Sequence, residues 1–350
     1  MFPNVHARQE AAMPLYAAID LHSTNSVLAV LDETDKPLRQ CRLPNDLTRI
    51  LAELEPFRAD VVGVAVESTY NWYWLVDGLA DHGYPMQLVN TTAVPQYDGL
   101  KYSGDESDAR HLAHLMRLGI LPVGYIYPRQ GRAVRDLLRQ RCVFVHQSVS
   151  AMQRVQGAWA RYTGQCLSAD AFRKLSDEAL RRAFPDPCVR LSVGAQRRVW
   201  RSLEEQVQQV EKQVLAMHPC TPERAALSTT PGIGRILSLT IALETGDIAR
   251  FADVGNYVSY CRLVKSERVS NGKKKGVGNR KCGNKYLCWA WVEAANFATR
   301  YSPTIKRWYD RKAAKRHRVI AIKAVAHKLA RAGYYLMRNG GKFEVARAFG

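Results

Sequence analysis

The chain has 350 residues, with 51 Lys+Arg against 32 Asp+Glu and a formal net charge of +19. Its 47% hydrophobic content excludes a disordered basic tail and suffices for two or three domains with cores of their own. The positive excess points to a polyanionic partner, nucleic acid before a membrane surface, because no apolar run approaches the length of a membrane span.

Residues 1–14 read as a flexible leader without the apolar stretch of a signal peptide. Residues 15–20, 26–32 and 37–43 alternate or run apolar between short polar breaks and are expected as three strands. Helical spacing of Leu47, Ile50, Leu51, Leu54 and Phe57 follows, and 60–66 is a β-branched run of the kind buried on both faces. A helix over about 71–83, the short strand Met86–Val89 and a helix from Asp105 complete the order βββαβαβα. A mixed sheet flanked by helices in that order is the ribonuclease-H-like (RuvC-like) arrangement, expected over 15–125.

Residues 126–225 carry few strand signals. Val199, Leu203, Val207, Val210 and Val214 lie on one helical stripe, suited to a coiled coil between protomers or to an intramolecular bundle. From 226 to 350 a mainly helical domain is expected, opening on Leu227-Ser-Thr-Thr-Pro-Gly-Ile-Gly-Arg235 between two helices. That turn has the helix-hairpin-helix signature, in which Gly232 and Gly234 would let backbone amides approach a phosphate. The fold class is therefore α/β plus α.

Four acidic residues sit where chemistry would need them. Asp20 ends the first apolar run, Glu67 ends the β-branched run, and Asp105 and Asp108 stand three apart where a helix begins. Two ionised carboxylates about 5 Å apart repel by roughly 3 kcal/mol at an effective dielectric near 20. A cluster of four must hold cations or protons, and oxygen ligands select Mg²⁺ or Mn²⁺, the ions of two-metal phosphodiester chemistry. Each acid alone has an ordinary reading: Asp20 in a turn, Glu67 on the surface, Asp105 as a helix N-cap.

A second concentration of signal runs from Leu263 to Lys285, rich in Gly and Asn and expected as a loop. Lys273, Lys274, Lys275, Arg280, Lys281 and Lys285 there would contact phosphates, as would Arg311, Lys312, Lys315 and Arg316 further on. Ser270 precedes an Asn-Gly turn that would present its hydroxyl, but no residue nearby in sequence marks a base for it. The eight scattered cysteines, with no C-x-x-C pair, read as reduced thiols of a cytoplasmic protein.

Taken together, Ala18-Ile-Asp20, Val66-Glu-Ser-Thr-Tyr70, Asp105-Glu-Ser-Asp-Ala-Arg110, Pro231-Gly-Ile-Gly234, Ser270-Asn-Gly272 and Lys281-Cys-Gly-Asn284 resemble the DEDD-type transposases of bacterial insertion sequences, the IS-one-ten family related to the Piv DNA invertase. The resemblance spans nearly the whole chain. It implies that Asp20, Glu67, Asp105 and Asp108 bind the metal and that Ser270, with Ser266 its nearest competitor, joins covalently to a DNA end. It also implies a guide (bridge) RNA that pairs with donor and target DNA, and a dimer or tetramer that brings acidic site and serine together. Three rival readings stand beside it: a junction-resolving nuclease that uses water, a nucleic-acid-binding protein without catalysis, and an actin-like kinase.

Overall fold

The β-branched runs and the helical stripes give way to two compact units, residues 1–126 and 127–350, in the computed structural model. The structure describes residues 13–94, 104–265, 267–276 and 282–350; the expected leader lies outside them up to residue 12.

The first unit is a five-stranded mixed sheet. Its strands are β1 (Leu15–Leu21), β2 (Asn25–Leu31), β3 (Pro37–Pro44), β4 (Val61–Glu67) and β5 (Met86–Val89), in the order β3-β2-β1-β4-β5. β1 to β3 form an antiparallel meander, while β4 and β5 continue parallel to β1. That order is compatible with a ribonuclease-H-like fold. The helices are α1 (Leu47–Leu54), α2 (Tyr73–Asp81) and α3 (Asp105–Arg117).

Period-two alternation sorts the strand residues between the two faces. Ala17, Ile19, Val64 and Val66 pack with Ile50 and Leu54 of α1 and Leu75 and Leu79 of α2. Ala18 and Ala65 face the other way, against Leu112, Ala113 and Met116 of α3. Small residues on this second face let α3 lie close to the sheet. Asp20 follows Ala18 by two residues and Glu67 follows Ala65 by two, so both carboxylates fall on the α3 face.

The second unit begins with a long helical hairpin. α4 (Arg129–Thr163) runs antiparallel to α7 (Pro187–Met217), as the pairs Arg141–Glu211 and Ser148–Glu204 show, with α5 (Ala169–Lys174) and α6 (Asp177–Ala183) at the turn between them. Val210 and Val214 of the expected seam pack against Val134 and Leu138 of α4, while Val199 is 51% exposed. The same chain thus covers part of that stripe.

Next come α8 (Pro222–Ser228), α9 (Arg235–Thr245) and α10 (Val254–Tyr260), then β6 (Arg268–Ser270) and β7 (Lys273–Gly276). Four helices close the chain: α11 (Lys285–Tyr301), α12 (Pro303–Lys315), α13 (Arg318–Asn339) and α14 (Val345–Phe349). Their core centres on Trp291 and Tyr257, both fully buried. The stretch expected as a loop therefore contains a two-stranded hairpin. Asn271 (φ 48°) and Gly272 (φ 69°) both adopt left-handed backbone, the combination a tight type I′ turn demands. No helix among the described residues is long and apolar enough to cross a membrane.

One buried carboxylate ties the hairpin α4/α7 to the helices that follow it. Glu244, 2% exposed on α9, accepts hydrogen bonds from Arg139 (2.5 and 2.7 Å), Arg135 (3.2 Å) and Asn284 (2.7 Å). Burial opposes its ionisation, but the hydrogen bonds and charges of Arg139 and Arg135 outweigh that and hold its carboxyl below the usual range. Removing the carboxylate leaves the buried Arg135 and the partly buried Arg139 guanidinium groups without this counter-charge. Glu244→Ala is therefore expected to destabilise the fold by about 3–5 kcal/mol, read as a lowered midpoint in urea; an unchanged midpoint would show that the network carries no net stability.

Candidate active site

The acidic residues meet where strand ends and a helix start converge. Asp20 is the penultimate residue of β1 and Glu67 the last of the adjacent parallel β4, with Ile19 paired to Val66 one residue before them. α3 lies across β1 and β2 and brings its first turn, with Asp105 and Asp108, to the same edge. Asp105 is not the N-cap of this helix. Gly104 takes that place, its N–H donating to Ser107 Oγ (2.9 Å), so the Asp105 carboxylate is free for other partners.

Those partners include two residues that sequence reasoning did not single out. His22 follows Asp20 by two positions, and its Nε2 lies 3.3 Å from an oxygen of Asp20 and 3.3 Å from one of Asp105. That nitrogen is buried and makes no aligned hydrogen bond to either. Arg42 on β3 donates to Asp105 at 2.6 Å and to Asn25 at 2.7 Å. The Asp-x-His spacing at a strand end was the available signal for His22, since alternate residues share a face. Arg42 had no such signal, because only the pairing of β3 with β2 carries it to the site.

The electrostatics describe a site with too much negative charge for its surroundings. Asp20 is 3% exposed. Glu67 is pushed up to about 8, by burial first, then by its hydrogen bond with Asp20 and the charges of Asp20 and Asp108. Burial also raises Asp108, helped by the charges of Asp20 and Asp105. Asp105 goes the other way because Arg42 hydrogen-bonds it. One atom each from Asp20, His22 and Asp105 lies within 4.8 Å of the others, a spacing that fits one cation. The unsatisfied Nε2 aimed between two carboxylates fits a divalent ion. Oxygen donors admit Mg²⁺ and Mn²⁺ alike, and an imidazole donor tilts the set toward Mn²⁺.

The serine-bearing hairpin belongs to the second unit. Ser270 ends β6, pairs in register with Lys273 across the Asn271-Gly272 turn, and is exposed. Lys273 and Lys275 are exposed beside it, and Lys274 pairs with Glu267 at 3.1 Å. The excursion is pinched at its base. Arg262, in left-handed backbone (φ 55°), donates to the carbonyls of Cys282 (3.1 Å) and Gly283 (3.0 Å). Asn284 caps α11 while holding Glu244, which gives the Lys281-Cys-Gly-Asn284 segment a structural reason. Ser266, Arg280 and Lys281 lie outside the described residues.

The remaining expected contacts divide. A Cβ on Gly232 (φ 89°) would lie 2.4 Å from the Ala294 carbonyl, so this glycine has a packing reason of its own against α11. Gly234 begins α9 with open space around it, which leaves the helix N-terminus accessible to a phosphate. Lys285, Arg311, Lys312, Lys315 and Arg316 are all exposed.

Two measurements follow from the acidic cluster. Glu67 keeps its proton in the folded chain between its ordinary value of 4.5 and about 8, where the unfolded chain has lost it. Without cations, stability should therefore fall as pH rises across that window. A divalent cation must displace the proton, so Mn²⁺ affinity should climb up to about pH 8, with about one proton released per site filled. Calorimetry in buffers of different ionisation enthalpy reads this, and Glu67→Gln should abolish the release; pH-independent affinity would contradict the account. Arg42 competes with a cation for Asp105. An exposed pair is weak, so Arg42→Gln should tighten Mn²⁺ binding by about 1.5- to 5-fold, measured by titration at fixed pH; weaker binding would make Arg42 a supporter of the site.

A transposase family model, the DEDD type of IS110 elements, matches residues 17–163, and the model described as Transposase IS116/IS110/IS902 family matches residues 224–310. The putative transposase y4qE of Sinorhizobium fredii (strain NBRC 101917 / NGR234) is 26% identical over 240 residues, 67% of this chain and 57% of that protein. The chain thus spans little more than half the length of that relative. The transposase for insertion sequence element IS1328 of Yersinia enterocolitica is 22% identical over 306 residues, 85% of this chain and 88% of the relative. The first matched segment covers the sheet of the first unit and runs on through α4, the other lies within the second unit, and the first contains Asp20, Glu67, Asp105 and Asp108. The chain belongs to the IS110 family of DEDD transposases.

Proposed function

We propose that the chain is the transposase of an insertion sequence that cuts and exchanges DNA strands through a covalent Ser270–DNA intermediate, directed by a guide (bridge) RNA. The observation that carries the enzymatic half is the convergence of buried Asp20, half-buried Glu67 and the first turn of α3 on one sheet edge, with His22 Nε2 unsatisfied among them. Asp20, Glu67, Asp105 and Asp108 would hold a divalent metal, with His22 as a further donor. Mg²⁺ or Mn²⁺ bound there supplies charge stabilisation at a scissile phosphate.

Ser270 supports the transfer half by its position. It is exposed beside a tight two-residue turn, on a hairpin that also carries the exposed Lys273 and Lys275, cations suited to neighbouring phosphates. Attack by Ser270 Oγ on phosphorus would break one strand P–O bond, with the hydroxyl proton ending on the departing strand's oxygen. Bond energy stays in the serine–phosphate ester, so rejoining to another strand needs no nucleotide cofactor. The pinch made by Arg262 would limit where the hairpin can carry the hydroxyl. Base pairing by a guide RNA would supply sequence choice, and the basic surface of α12 and its C-terminal flank suits backbone contacts that read no sequence. Val199 at 51% and Leu191 at 69% exposure leave apolar side chains of α7 uncovered within one chain, which supports a dimer or tetramer.

Denaturing gels of protein incubated with labelled element-end DNA, guide RNA and Mn²⁺ test the reading. The wild type should give a protein–DNA adduct. Ser270→Ala should lose it, Ser266→Ala should keep it, and Asp105→Asn should bind DNA yet neither cleave nor form adduct. Unimpaired cleavage by Ser270→Ala without any adduct would replace strand transfer by hydrolysis with water.

A further inference from the structure

Beyond the acidic edge and the serine hairpin, the second unit has a cavity of about 480 Å³ that neither reading uses. It lies between the C-terminal half of α13, the Gly340-Gly341 turn and α14. Its walls are fixed. Phe349 of α14 is buried in the core, Lys328 donates to the Ala348 carbonyl at 2.8 Å, and the Phe343 N–H donates to Thr229 Oγ1 at 2.8 Å. Gly340 (φ 72°) and Gly341 (φ 93°) turn the chain with open space where side chains would stand.

The lining is cationic and unpaired. Arg331, Lys342 and Arg347 are exposed along it, and among the described residues none of them pairs with a carboxylate. The lone carboxylate in the lining, Glu344, makes no ion pair with them. Tyr335 contributes a half-exposed ring (48%), braced edge-on by Tyr334 at 5.2 Å. Three cations and an aromatic ring lining one cavity suit a phosphate joined to a planar group. The volume falls within the roughly 300–1,000 Å³ of small-molecule sites, which is more room than a bare phosphate needs.

We propose that this cavity receives one unpaired nucleotide of a single strand, with its phosphate on Arg331, Lys342 and Arg347 and its base on Tyr335. The proposal rests on the reading of the chain as a nucleic-acid enzyme and adds a site specific for unpaired strands. A duplex keeps its bases stacked inside, so it could offer this cavity its phosphates but no base.

The test uses the full chain and fluorescent twelve-nucleotide probes of one sequence: single-stranded RNA, single-stranded DNA and blunt duplex DNA. Arg331→Ala with Arg347→Ala should weaken at least one single-stranded probe about tenfold or more, against less than about twofold for duplex. Tyr335→Ala should weaken the same probe about fivefold or more, even at raised salt, with Tyr335→Phe close to wild type because the ring remains. Whichever single strand responds identifies the source of the nucleotide. Equal losses on single strand and duplex, or no loss on either single strand, would overturn the proposal; restoration by Tyr335→Phe excludes misfolding as the cause. The adduct assay is a separate readout: loss of adduct formation in the wild type with the single-strand contrast intact would fell the transposase reading and leave the cavity assignment standing.

Discussion

Crowding of carboxylates at one edge of a sheet is the constraint around which the first unit is arranged. Asp20, one residue before the end of β1, and Glu67, the last of β4, stand on neighbouring parallel strands, so their side chains cannot separate without breaking the β1–β4 pairing. α3 adds Asp105 and Asp108 on the same face, and the local response is visible in the groups themselves. Glu67 and Asp108 are driven toward their protonated forms, while Arg42 and His22 close on Asp105. Such a cluster is costly unless something positive joins it. A stable fold has no use for it in isolation, which makes the cost an argument for function.

The sheet makes that crowding possible through small side chains. Ala18 and Ala65 on the α3 face, met by Ala113, leave room for the helix to approach the strands. The same alternation that buries Ile19 and Val66 toward α1 and α2 turns Asp20 and Glu67 toward α3. Packing and the acidic cluster are thus two consequences of one period-two pattern. In the second unit a different device does the comparable work. Glu244 is buried among Arg135, Arg139 and Asn284, and its charges are compensated where those of the first unit are not. The contrast separates a structural carboxylate from the candidate catalytic ones.

Ser270 illustrates how local backbone rules present a side chain to solvent. Asn271 and Gly272 both take left-handed backbone, so the serine stands at the end of a tight hairpin with its hydroxyl exposed. Arg262 and Asn284 hold the two stems of that excursion. The hairpin was legible as a turn but not as strands, because a glycine- and lysine-rich stretch carries no apolar alternation to mark them. Gly232 shows the reverse case: a motif glycine that suggests phosphate approach also meets a helix backbone at a distance no Cβ tolerates.

By itself the sequence determined the strand and helix order of the first unit, the four acidic positions and the basic excess. Each rests on hydrophobic periodicity or on charge, properties that local residues carry without knowing their neighbours. The order of short motifs along the chain also points to the transposase family. Only the tertiary structure decided that His22 and Arg42 join the acidic edge, that Glu244 rather than any motif residue anchors α4, and that unpaired cations gather around Tyr335. These are contacts between residues up to about a hundred positions apart. No pattern along the chain encodes them, because they depend on which faces two distant elements present when they pack.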